Sequence, residues 1–181
     1  MGMLTSGRVE IAAPAADVFD WLIDPVKLTA WLGGGGGMPE DPRELHLGWS
    51  STSDTPAGEV KVEITGYEPP TDLAFRSTYT GGDSISTYKL TEVDGTTTLM
   101  LEGDTDWGRP KGGFDAVLDS ALADQPESMR AAAEQQIDVL EDELEHGTFD
   151  SVAQGQMQQS LDASLLKLKS LIEAAETTAK N

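Results

Sequence analysis

The chain has 181 residues, of which 38% are hydrophobic, and its 32 acidic and 12 basic side chains give a formal net charge of −20. This length suits one domain with a sizeable core, and the acidic excess excludes nucleic acid and anionic membranes as expected partners. The lack of cysteine excludes disulfides, thiolate nucleophiles and Cys-based metal sites. Without a long apolar run or a signal-peptide pattern, the sequence predicts a soluble, acidic, cytoplasmic protein with no membrane insertion.

The first predicted elements are a strand and two short helices. Polar and apolar residues alternate over 8–11, which indicates a strand. Pro14 then opens a helical pattern over 15–22, and a second proline-started helix is predicted over 25–32. The five consecutive glycines at 33–37 favour neither helix nor strand, so they predict a loop.

Short alternating segments separated by turn residues occupy the middle of the chain. The predicted strands are 44–50, 59–67, 72–79, 84–91 and 96–103. The four segments between these five strands contain, in order, Pro-Ala-Gly, Pro-Pro, Gly-Gly and Asp-Gly. Closely spaced strands joined by such turns are typical of an antiparallel meander.

Two amphipathic helices are predicted near the C-terminus. The first, over 126–147, is expected to cover the concave face of the sheet. The second runs from about 156 to 175 and has its own apolar stripe, formed by Met157, Leu161, Leu165, Leu168 and Ile172. We therefore expect one domain over 1–147 and a helical extension over 148–181 packed on it. A homodimer through this C-terminal helix is the alternative.

The order of these elements resembles the START-like or Bet v-like superfamily (SRPBCC). The local resemblance lies in 9–22, which contains Pro-x-x-x-Val-Phe, and in 28–31, 66–75 and 86–99. Within the superfamily, the sequence is most similar to the branch named for homologues of the activator of the heat-shock protein 90 ATPase. The resemblance implies an α+β helix-grip fold, in which a curved antiparallel sheet surrounds a long helix. It also implies an internal apolar ligand cavity.

The alternation of each strand predicts which side chains face that cavity. Family members usually carry bulky residues near positions 77 and 86, so the resemblance implies that Ser77 and Ser86 leave space there. The alternative is that the covering helix fills this space. The candidate ligand-binding residues are Trp31, Trp49, Phe75, Ser77, Tyr79, Ser86, Tyr88, Leu99, Ile137 and Leu140.

The sequence contains no recognisable catalytic, metal or cofactor motif. His46 and His146 are the only histidines, and neither has metal-ligand spacing to a partner. No Gly-x-Ser-x-Gly elbow or phosphate loop occurs. We therefore predict no catalytic residue, no metal and no cofactor.

Three functions remain open. The first is non-catalytic binding of a small apolar or amphipathic molecule, oriented by Ser77, Ser86 and Tyr88. The second is a cyclase, dehydratase or hydrolase that uses the cavity as a template. The third is a protein-interaction or co-chaperone-like module, for which an exposed apolar patch would be the sign.

Overall fold

The computed structural model describes residues 2–32, 38–55, 58–79, 82–107 and 148–179. Its helices and strands are β1 (Gly2–Ile11), α1 (Ala15–Ile23), α2 (Pro25–Leu32), a 3-10 turn (Pro42–Glu44), β2 (Ser50–Thr55), β3 (Gly58–Glu68), β4 (Asp72–Tyr79), β5 (Gly82–Val93), β6 (Thr96–Trp107) and α3 (Thr148–Ala179). The predicted α+β helix-grip class is confirmed.

The described strands form one antiparallel sheet in the order β1-β6-β5-β4-β3-β2. Strands β2 to β6 follow one another as a meander, and β1 closes the far side against β6. Asp94 and Gly95, both with positive φ, form the tight turn between β5 and β6. This order makes β1 and β2 the two edge strands.

The apolar core lies on the concave face of the sheet, towards the ends of β5 and β6 that meet at the Asp94-Gly95 turn. Leu73, Leu90 and Leu99 point into it from the strands, and all three are buried. Helix α1 contributes Val18, Phe19 and Leu22, and α2 contributes Leu28 and Trp31. The short helices after β1 therefore close one half of the concave face.

Helix α3 crosses the same core and packs mainly on β1. Its Leu165, Leu168 and Ile172 are buried with the sheet residues, whereas Leu166 is 64% exposed. The helix approaches the strand closely at Gly7, since a Cβ there would overlap the side chain of Leu165. The apolar stripe of the last predicted helix is thus in contact with the chain's own sheet.

Polar side chains of α3 also bind the outer backbone edge of β1. Gln158 accepts a hydrogen bond from Ser6 N–H at 3.2 Å and donates one to Ser6 O at 2.7 Å. Gln154 donates to Leu4 O at 3.0 Å, one turn earlier. Further along, Lys169 donates to Glu10 O, and Glu173 accepts from Ala12 N–H at 3.0 Å. These side chains take the place of a neighbouring strand along much of the β1 edge.

The sequence-based strand at 44–50 is wrong. Residues 42–44 form a 3-10 turn instead, begun by Pro42 and capped by Asp41, whose side chain accepts a hydrogen bond from Arg43 N–H. The strand follows as β2, whose residues are nearly all serine and threonine. An edge strand needs no continuous apolar side, so the hydrophobic pattern did not reveal it.

Three predictions fall on residues outside the described ones. These are the glycine loop at 33–37, the helix at 126–147 and the candidate residues Ile137 and Leu140. His146 lies outside them as well.

Candidate ligand site on the concave face

The concave face has two chemically different halves. Strand register places Leu90 opposite Leu99, and Leu99 opposite Val9, in the half that α1, α2 and α3 cover. Towards the other end of the strands, serine, threonine and glycine replace these leucines on β5 and β6, while β1 carries Thr5 and the buried Met3. This second half is the candidate ligand site.

One side of the candidate site is an apolar wall formed by β3, β4 and the residue that precedes β2. It consists of Trp49, Val62, Ile64 and Phe75. Register places Ile64 opposite Phe75, and Trp49 lies beside Ile64, whose N–H donates to Trp49 O at 2.9 Å. Phe75 also stacks on Tyr88, with ring centroids 5.8 Å apart. The wall offers aromatic and aliphatic contact area to a bound molecule.

The other side of the site is a hydroxyl patch that extends over β4, β5, β6 and β1. It consists of Thr5, Ser77, Ser84, Ser86 and Thr105. Ser77 lies opposite Ser84, Ser84 opposite Thr105, and Ser86 opposite Gly103, whose next neighbour is Thr5. With strands about 4.8 Å apart, the patch is about 14 Å wide.

The hydroxyl patch has no hydrogen-bond partner among the described side chains and backbone groups. In the part of the chain that the structure describes, no residue hydrogen-bonds to these five side chains. Thr97, in the covered half, shows the contrast, because it is fully buried and donates to Ala13 O at 2.7 Å. Hydroxyl groups without internal partners remain able to donate to and accept from a bound molecule.

Tyrosines and one carboxylate are the ionisable side chains that the described strands place on this face. Burial raises the pKa of Tyr88. Burial, together with the nearby charges of Asp83 and Asp106, raises the pKa of Tyr79. Glu92 lies at the covered end and accepts a hydrogen bond from Ala15 N–H at 2.8 Å, which caps the start of α1. Because both pKa values are raised, Tyr79 and Tyr88 stay protonated near neutral pH.

The structure brings together most of the predicted ligand-binding residues that it describes. Phe75, Ser77, Tyr79, Ser86 and Tyr88 face the same space, and Trp49 borders it. The remaining two lie deeper. Leu99 is fully buried in the covered half. Trp31 is buried in the core, where its indole N–H donates to Trp21 O at 3.2 Å.

Sequence reasoning did not single out three residues of the hydroxyl patch. Ser84, Thr105 and Thr5 lie beside Ser77 and Ser86 only because of the register between β5, β6 and β1. Ser84 could have been found by extending the alternation of β5 backwards from Ser86. Thr5 and Thr105 could not, because the predicted first strand began at Arg8 and the last one ended at Gly103.

The convex face of the sheet is polar and acidic. A shallow groove of about 450 Å³ between β1, β5 and β6 is lined by Leu4 and Ile85 together with Glu102 and Asp104. Leu4 and Met100 are both exposed, but Glu102 lies between them along the sheet. The described part of this face therefore carries no continuous apolar patch.

Two further features bear on function. Among the described residues, no group of three or more histidines and carboxylates is arranged to hold a metal ion. None of the described helices is both long and apolar enough to cross a membrane.

Comparison with known proteins identifies a family. The model of the family described as polyketide cyclase / dehydrase and lipid transport matches residues 5–145. No curated protein matches the sequence significantly.

Solved structures show the same fold at low sequence identity. Protein BH1534 of Bacillus halodurans is 16% identical with a TM-score of 0.56, covering 94% of this chain and 96% of that one. Protein MLL2253 of Mesorhizobium loti is 16% identical with a TM-score of 0.54, covering 93% and 97%. An HSP90 activator of Plasmodium falciparum also matches, at 19% identity and a TM-score of 0.45, covering 56% of this chain and 72% of that one.

Proposed function

The chain belongs to the polyketide cyclase / dehydrase and lipid transport family. Within this family, we propose that it binds a small apolar or amphipathic molecule without transforming it. The molecule would lie on the outer half of the concave face, between the apolar wall and the hydroxyl patch. We place this activity in the cytoplasm.

The observation that carries this proposal is the change of chemistry along the concave face. The covered half is closed by apolar side chains from three helices, as a protein core is. The outer half instead presents half-buried Ser86 opposite Phe75, and half-buried Ser77 two residues after Phe75 on the same strand. A pocket with apolar surfaces and a few oriented polar groups is typical of small-molecule sites.

The ionisable groups favour binding over catalysis. A template enzyme of the cyclase or hydrolase kind would use an acid or base with a pKa near the working pH. The described concave face offers tyrosines with raised pKa values and Glu92, whose carboxylate is engaged by Ala15 N–H. An interaction module is also less well supported, because the described convex face carries no continuous apolar patch.

Native mass spectrometry of freshly purified protein, followed by organic extraction, tests the proposal directly. We expect a non-covalent adduct of one small molecule per chain. The variant Ser86→Phe places a ring over Gly103, where it would fill the site, so the adduct should be lost or bind at least about tenfold more weakly.

The matched control is Thr78→Phe, which adds the same ring to the exposed side of β4. This variant should retain the adduct. An adduct that survives Ser86→Phe unchanged, in a variant that is still folded by circular dichroism, would contradict the location of the site.

A further inference from the structure

We propose, building on the function above, that the site selects uncharged amphipathic molecules with two or more hydrogen-bonding atoms in the polar part, and rejects anionic lipids such as fatty acids. The proposal rests on how positive charge and hydroxyl groups are distributed over the described residues.

The cations of the described strands lie away from the concave face. Two cations of the sheet point outward and are paired with acids beside them: Arg76 contacts Asp83 at 3.6 Å, and Lys61 contacts Glu63 at 3.3 Å. Register puts both on the face opposite Ser77. Two cations of the helices are also paired with acids. Lys27 of α2 contacts Asp20 of α1, and Lys169 contacts Glu173 on α3.

A carboxylate bound among the hydroxyls would therefore lack a cation on the described lining. The charges nearest the outer end of the site are negative as well: Asp83 and Asp106 pair across the opposite face of the same strand ends, and both act on Tyr79. Bringing an anion out of water without a counter-charge is unfavourable, and nearby negative charges add to that penalty.

The hydroxyl patch suits an uncharged polar group better. Each serine or threonine hydroxyl can both donate and accept, so Ser77, Ser84 and Ser86 can satisfy carbonyl, hydroxyl or amide groups alike. A purely aliphatic molecule would leave these hydroxyls without partners, which disfavours it. The apolar wall then takes the rest of the molecule, for which Phe75 and Trp49 provide the contact area.

Two probes that share one alkyl chain test this selectivity. Monolaurin has an uncharged head with two hydroxyl groups, whereas laurate has a carboxylate, which is ionised at about pH 8. Each is titrated below its micelle-forming concentration against the full chain, with displacement of the uncharged dye Nile red as readout and native mass spectrometry as a second measurement. We expect monolaurin to bind at least about tenfold more tightly than laurate.

A charge insertion gives the matched test within the protein. Ser77→Lys adds a cation inside the site, and Thr78→Lys adds the same charge on the outer face of the same strand. Laurate binding should improve about tenfold in Ser77→Lys and by less than about twofold in Thr78→Lys, because only the first cation meets the carboxylate at close range. The comparison of the two probes in the unmodified chain needs neither variant to fold.

The outcomes separate this proposal from the one on which it rests. Laurate binding as tightly as monolaurin would overturn the charge selectivity and leave cavity binding intact. Equal improvement in the two lysine variants would also overturn it, because net charge alone would then explain binding. Binding of neither probe and no dye binding would overturn both proposals.

Discussion

Replacing Leu168 with alanine tests whether α3 is an integral part of the core. Leu168 is fully buried among residues of the sheet and of the short helices. The substitution removes three carbon atoms, and about 0.8 kcal/mol for each gives about 2.4 kcal/mol of lost burial. The cavity left behind adds to this, so we expect a loss of about 3 kcal/mol in the free energy of unfolding.

In a domain of this size, such a loss lowers the melting temperature by about 6 to 12 °C. The control is Leu166→Ala, two residues away on the exposed side of the same helix. It should change the free energy of unfolding by no more than about 0.5 kcal/mol. Both variants make the same change in helix propensity, so the difference between them reports burial alone.

Thermal and denaturant unfolding followed by circular dichroism provides the measurement. If Leu168→Ala melts at the same temperature as Leu166→Ala, then α3 does not pack on the sheet in solution. The assignment of residues 148–179 to the core would then be refuted.

Two further predictions concern single hydrogen bonds. Thr97→Val keeps the shape of the side chain but leaves Ala13 O unpaired, so it should cost about 1–3 kcal/mol in denaturant unfolding; a loss below about 0.5 kcal/mol would contradict this. Lys169 and Ala12 N–H lower the pKa of Glu173 from 4.5, so its contribution to stability is present above about pH 4.5 and is lost as the pH falls through the lowered pKa. Thermal melts should therefore show Glu173→Gln less stable than the original chain near pH 7, with a difference that shrinks as the pH falls below about 4.5. A difference that stays constant with pH would show that this carboxylate is not responsible.

The strand alternation was sufficient to predict much of the concave face. Leu73, Phe75, Ser77 and Tyr79 share one side of β4, as predicted, because the side-chain period of a strand leaves little choice once one buried residue is assigned. The same reasoning predicted the buried stripe of α3. It could not decide between a dimer and the chain's own sheet as the stripe's partner.

Other features depend on register and could not be read from local patterns. Ser77 and Thr105 lie in one row across the sheet because β4, β5 and β6 pair with a particular offset. The bonds from Gln154 and Gln158 to β1 depend on where a helix crosses a strand more than 140 residues earlier in the chain. Glutamine on a helix is ordinarily interpreted as solvent-exposed, so the sequence contained no signal for this contact.

The helix bound along β1 limits how this protein can associate with copies of itself. Among the described residues, β2 pairs only with β3, whereas side chains of α3 already hydrogen-bond to Leu4, Ser6 and Glu10 on the outer edge of β1. Pairing of two chains through β2 would be symmetric and would use up the available edge of both. Edge-to-edge assembly of the intact protein would therefore end at two chains, and growth into a filament would first require α3 to leave β1.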